Sequence, residues 1–133
     1  MDNVSRDGLF YGPDRGVDNM SYYMYLDDIR DPKTDKPWHV VRSYQEAVDM
    51  MLEFGAPGYI SFDHDLGEDD APTGYDLAKW MVVQDMDKVI VLSDSFKFNV
   101  HSANPVGAAN ITMYLNAYME QRAKTYKHEG YQA

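Results

Sequence analysis

The chain has 133 residues and no cysteine. That one absence excludes disulfides, cysteine-ligated zinc, iron–sulfur clusters and thiol nucleophiles. It also agrees with a cytoplasmic protein. No apolar run approaches the roughly 18 residues that a membrane-spanning helix needs, so no membrane partner is expected. The opening segment MDNVSRDGLFYGPDRG has no apolar stretch, so it does not read as a secretory signal. Cations are scarce as well. Twelve Lys and Arg face 22 Asp and Glu, giving a net charge of −10. A chain with that balance lacks the basic footprint for wrapping duplex DNA. A small anionic ligand or an RNA end would need a local cation or a metal ion to offset the field.

Enough remains to build one core: 44% of the residues are apolar, which suits a single domain of this length. Residues 1 to 20 are rich in glycine and scattered charge, show no period, and read as an irregular arm. A regular pattern then runs over residues 21 to 122. SYYMYL (Ser21 to Leu26) reads as a buried strand that ends at Asp27-Asp28. Ile29 to Pro37 is a breaker-rich loop, and Trp38 to Arg42 is a short strand. Ser43 and Glu46 have the spacing of a capping box. Tyr44, Ala47, Val48 and Met51 follow as an amphipathic stripe, with Gly55 placed to stop the helix.

Tyr59 to Phe62 is the next strand and delivers Asp63, His64 and Asp65. If that strand runs on, His64 faces away from the two aspartates; if it has already turned, all three can converge. Glu68, Asp69 and Asp70 then lie in a solvated loop. Thr73 and Asp76 can cap a helix whose inner face holds Leu77, Trp80, Met81 and Gln84. KVIVL (Lys88 to Leu92) reads as a strand, and Phe96, Phe98 and Val100 alternate with Lys97, Asn99 and His101 as another. Three residues between these two are too few for a parallel crossover, so one antiparallel edge strand is expected. Asn104-Pro105 opens a last helix striped by Ile111, Tyr114, Leu115 and Tyr118. Residues 123 to 133 read as a polar tail. Strands alternating with helices predict an α/β domain with a mostly parallel sheet.

Three strands end in polar clusters: Asp27-Asp28, Asp63-His64-Asp65, and His101-Ser102-Ala103-Asn104. In open α/β sheets, ligands bind beyond the carboxyl ends of the strands. Asp27, Asp28, Asp63 and Asp65 are hard oxygen ligands that suit Mg²⁺ or Mn²⁺. Crowded carboxylates would otherwise raise one another's pKa. An Asp pair after a strand can also simply cap a turn; the second cluster on another strand end is what favours a site. His64 and His101 can serve as acid and base, with Asp63 beside them, although a strand-end histidine is often only a hydrogen-bonded side chain. Ser102, Asn104 and the backbone at Gly107 form a helix N-terminus able to seat a phosphate. Arg30 and Arg42 can clamp it or sit at the surface. Trp38, Trp80 and the methionines read as core or rim, and His39 and His128 receive no role.

Several segments together carry a family resemblance. They are Leu26-Asp27-Asp28-Ile29-Arg30; Trp38 with Val41-Arg42-Ser43; Ser61-Phe62-Asp63-His64-Asp65-Leu66-Gly67; Gly74-Tyr75-Asp76; and Val100 to Asn110 (VHSANPVGAAN). The set resembles the cyclic-phosphate processing receiver-like domain family of bacteria and phages. The resemblance implies a receiver-like three-layer sandwich and a role in processing cyclic phosphates, in RNA repair or nucleotide signalling. Asp27-Asp28 look like the acidic pair of a receiver, Asp63 like its phosphoacceptor, and Ser102 like the hydroxyl residue after its fourth strand. Three departures argue against phosphate transfer from a histidine kinase. The Ile29 to Pro37 loop replaces the usual first helix, the lysine and proline of true receivers are missing, and His64 and His101 are foreign to phosphorelay. The expected function is metal-dependent hydrolysis of a nucleotide or RNA-end 2′,3′-cyclic phosphate. The alternative is a binder that sequesters a nucleotide signal intact, as a phage anti-defence protein would.

Overall fold

The structure is a computed structural model that describes residues 22 to 132. The arm expected over residues 1–20 lies outside the described residues. The elements run β1 (Tyr23–Leu26), β2 (Trp38–Val41), α1 (Tyr44–Phe54), β3 (Tyr59–Phe62), α2 (Gly74–Met86), β4 (Lys97–Val100) and α3 (Pro105–Gln132). The helix α3 continues well past residue 122, where the sequence reading starts a polar tail.

The local signals account for the helix ends. Ser43 Oγ accepts from the Glu46 N–H at 3.1 Å and caps α1. The Glu46 carboxylate reaches back one residue further than a capping box requires and accepts from the Arg42 N–H. Thr73 and Asp76 complete a reciprocal box at α2. Gly55 ends α1 at φ 88°, a left-handed conformation that favours glycine.

All four described strands are parallel, in the order β2-β1-β3-β4. The crossovers β2–α1–β3 and β3–α2–β4 advance in the same direction, and right-handed connections of that kind put their helices on one side of the sheet. α3 packs against α2 and β4 on the same side. The core lies between: Met24, Leu26, Val41, Ile60 and Phe62 from the sheet meet Ala47, Val48, Met51, Leu77, Met81, Ile111 and Leu115 from the helices. Each large apolar side chain buried there contributes about 1.5–3 kcal/mol.

Two expectations about layering and edge are corrected among the described residues. The α/β, receiver-like, parallel architecture is present, but it has two layers rather than three. The helix that would cover the other face is replaced by the proline-containing loop between β1 and β2, which joins two adjacent parallel strands directly. The expected antiparallel edge is also absent, because Lys88 to Leu92 forms no strand. The N–H groups of Lys88, Val89 and Ile90 turn back onto the carbonyls of Asp85 and Gln84, and at Leu92 side chains take over. The Leu92 N–H donates to the buried Asp85 carboxylate at 2.9 Å, and the Leu92 carbonyl accepts from Arg122 at 2.8 Å. Ile90 and Leu92 face the core while Val89 and Val91 face outward, so the alternation of a strand survives without a ladder.

Candidate functional site

The register decides which polar residues meet. Leu26 pairs with both Val41 and Phe62, and Phe62 pairs with Val100. The next residue of each strand extends the ladder by one bond. The Asp27 N–H donates to Val41 O, the Asp63 N–H to Leu26 O, and the His101 N–H to Phe62 O, at 2.9–3.1 Å. Arg42, Asp27, Asp63 and His101 therefore stand in one row across the carboxyl ends of the strands. By alternation, Asp27, Asp63 and His101 lie on the face of Tyr25, Ser61 and Asn99, away from the helices.

Asp27 is the centre of this row and is fully buried. Its Oδ1 accepts from the Ile29 and Arg30 N–H groups at 3.0 and 2.7 Å, and its Oδ2 meets His101 Nε2 at 2.9 Å and Arg30 Nε at 3.2 Å. Burial works to raise the pKa of Asp27. The two backbone donors, His101 and the Arg30 charge outweigh it and hold the carboxyl below its ordinary value. Asp63 is almost as buried but has fewer donors. Burial first, and the Asp27 charge second, push its pKa up, against a hydrogen bond from Ser102 and the charge of Arg30 at 3.6 Å.

Ligand atoms of Asp27, Asp28 and Asp63 all lie within 4.8 Å of one another. Three of the four carboxylates singled out by sequence thus come together. The fourth, Asp65, is held elsewhere: its Oδ1 bonds His64 Nδ1 at 2.7 Å, which lowers its pKa, and Asn104 Nδ2 at 3.4 Å. The chain has turned by this point, since β3 ends at Phe62. Asp63 enters the acidic row, and His64 turns toward the start of α3.

There Asn104 acts as the cap, its Oδ1 accepting from the Gly107 N–H at 2.9 Å. The Ser102 hydroxyl accepts from the Asn104 N–H at 3.0 Å and also bonds Asp63, so it links the helix start to the acidic row. His64 lies against Gly107, and its Nδ1 is the atom engaged by Asp65.

The two histidines have different surroundings. Both ring nitrogens of His101 are engaged: Nε2 by Asp27, and Nδ1 by Ser61 Oγ at 2.7 Å. Its ring stacks on Tyr25 at 4.6 Å with 2° between the planes. This is the geometry of a group that positions Asp27. Arg42 is also engaged, donating to the carbonyls of Asp27 and Arg30 at 3.2 and 2.6 Å and pairing with Asp31. It braces the loop after β1. The Arg30 guanidinium is half-exposed beside the acidic row.

Sequence reasoning missed Ser61 and Tyr25. Ser61 is the lone polar residue of YISF and only 4% exposed. Alternation places it on the Asp63 face, and that signal was available.

The acidic row can accommodate a divalent cation by its chemistry. It holds three hard oxygen donors at a strand edge, one of which, Asp63, is short of compensating charge.

A family described as the cyclic-phosphate processing receiver domain matches residues 22–117. Among curated proteins and among solved structures, nothing matches the chain.

Proposed function

The chain belongs to the cyclic-phosphate processing receiver domain family, and on that premise we propose that it hydrolyses a 2′,3′-cyclic phosphate with a divalent ion held by Asp27, Asp28 and Asp63. The observation that carries this reading is the convergence of those three carboxylates, two of them buried, at the carboxyl edge of a parallel sheet. Mg²⁺ or Mn²⁺ held by these three carboxylates would offset phosphoryl charge and lower the pKa of the attacking water.

The residues of the chain divide the remaining work. Arg30 offers a half-exposed guanidinium for a non-bridging phosphate oxygen. Ser102 and the start of α3, capped by Asn104 and closed by Gly107, border the same space and favour negative charge. His64 is the acid–base group through Nε2, its Nδ1 being engaged by Asp65. Water adds to phosphorus, one ribose–oxygen bond to phosphorus breaks, and His64 takes the proton of the water. That proton is returned to the departing alkoxide, leaving a phosphomonoester and a free hydroxyl. His101 positions Asp27 and does not exchange a proton with the substrate.

The second reading, capture of a nucleotide without cleavage, draws on the engagement of both His101 nitrogens, which leaves a single histidine for acid–base work. Incubation with 2′,3′-cyclic nucleotides and Mg²⁺ or Mn²⁺, followed by chromatography of the recovered ligand, separates the two. A phosphomonoester product that disappears in His64→Ala supports the enzyme. Tight binding with intact ligand supports the binder, and turnover unaffected by Asp63→Ala would sink the proposed site.

A further inference from the structure

The face of the sheet turned away from the helices is aromatic. Registers place Tyr23 beside Trp38 and Tyr59, and Tyr25 beside Val40 and Ser61. The rings touch: Tyr23 and Trp38 meet edge-on at 5.7 Å, Trp38 and Tyr59 at 5.7 Å, and Tyr25 and Trp38 at 5.5 Å. No described helix covers this face, and Val40 on it is 37% exposed.

Local cations offset the acidic field here. Lys36 Nζ sits 5.6 Å from the centre of the Tyr23 ring, and Lys97 pairs in register with Tyr59. The patch is continuous with the acidic row. Tyr25 stacks on His101, which bonds Asp27, and alternation puts Asp27 and Asp63 on this same face.

The length of the patch selects among ligands. From Asp27 back to Tyr23 is four residues of strand, roughly 13 Å at about 3.3 Å per residue. A single nucleoside whose phosphate sits at Asp27 spans the near end of the patch, at Tyr25 and the Trp38 ring beside it, and leaves Tyr23 and Tyr59 unused. A single strand of a few nucleotides reaches them. Aromatic side chains on a sheet face stack unpaired bases without requiring a particular sequence.

We propose that this face stacks the last few bases of a single-stranded RNA whose 3′-terminal cyclic phosphate lies in the acidic row. The inference rests on the hydrolase reading and narrows it: the substrate is an RNA end and not a free cyclic mononucleotide. Trp38, Tyr59 and Tyr23 are then specificity-determining residues.

The test compares 2′,3′-cyclic AMP with an adenosine pentanucleotide that ends in the same cyclic phosphate, both titrated with Mg²⁺ present into the His64→Ala chain, which leaves the ligands uncleaved. Trp80→Phe leaves Trp38 as the reporting fluorophore. The pentanucleotide is expected to bind roughly tenfold or more tightly and to quench Trp38. Trp38→Leu and Tyr59→Leu keep apolar bulk without a ring, and each should bring the pentanucleotide to within a few-fold of the mononucleotide. Equal affinity for the two ligands, or an advantage that survives both substitutions, overturns the inference and leaves the acidic row as a cyclic-phosphate site. A pentanucleotide ending in a plain 3′-hydroxyl that binds as well as the cyclic-ended one supports the stacking face but removes the end-group reading. Binding of neither ligand overturns both.

Discussion

The imidazole of His64 occupies the space that a side chain at Gly107 would need. A Cβ there would fall 2.3 Å from His64 Cγ and 2.7 Å from Nδ1. The glycine lets the start of α3 approach the loop after β3, and this contact joins the acid–base candidate to the proposed phosphate seat. Gly107→Ala should therefore displace His64 while leaving the fold intact, since alanine is the better helix former by up to about 1 kcal/mol. The expected outcome is at least a tenfold loss of turnover in a chain that still folds cooperatively, its melting temperature lowered by no more than a few degrees as the clash offsets the helix propensity. Unchanged turnover would remove His64 from the mechanism.

Asp63 should behave as a residue that a cation rescues. Its pKa is raised above the ordinary 3.8, by burial first and by the Asp27 charge second. The folded state thus prefers the protonated form. Its contribution to stability is complete below that ordinary value and is lost as the pH rises through the raised one. At pH 7, without divalent ions, Asp63→Asn is expected to melt a few degrees higher than the native chain. Mg²⁺ or Mn²⁺ should raise the melting temperature of the native chain and not that of the variant. Calorimetric scans with and without the ion measure both arms.

Asp27 has the opposite sign. Burial opposes its charge, but backbone donors, His101 and Arg30 keep its pKa low. Its stabilisation is present above the ordinary 3.8 and fades as the pH falls through the depressed value. Removing one donor exposes the dependence. His101→Ala should cost about 1–3 kcal/mol in urea unfolding at pH 7, because it deprives a buried carboxylate of a partner. His101→Gln, which can still donate, should recover part of that loss. If His101 only filled space, the alanine and glutamine variants would unfold together.

Asp85 is a control on the other side of the molecule. Its carboxylate accepts the Leu92 N–H and pairs with Arg122 at 3.1 Å. Asp85→Ala should cost about 1–3 kcal/mol by leaving a buried donor unsatisfied. Turnover measured below the melting transition should stay within twofold of the native chain. A large loss of turnover at full folding would mean that the segment after α2 communicates with the acidic row.

Much of the fold was legible in the sequence because several of its signals are local. Thr73 and Asp76 cap α2 as their spacing predicts, and Ser43 caps α1. Alternation correctly placed His101 opposite Phe98 and Val100. KVIVL misled for a physical reason. A β-branched run satisfies its backbone wherever acceptors and donors are offered, and here the Gln84 carbonyl offers them to Val89 and Ile90, and Asp85 and Arg122 to Leu92. Sequence carries no trace of a hydrogen bond between side chains and backbone seven and thirty residues away.

What the sequence determined by itself is the inventory of the site: three polar strand ends, an acidic pair, a second acidic cluster with a histidine, and a helix start. Those features follow from short-range pattern, which a chain carries with it before it folds. The tertiary structure decided the partnerships. Register across β1, β3 and β4 put Asp27 between Arg30 and His101, drew Asp63 into the row, and left Asp65 to His64. The same register laid Tyr23, Tyr25, Trp38 and Tyr59 side by side on one face. Which residue lies opposite which depends on how separate strands align, and that is set by the packing of the shared core, not by any single stretch of chain.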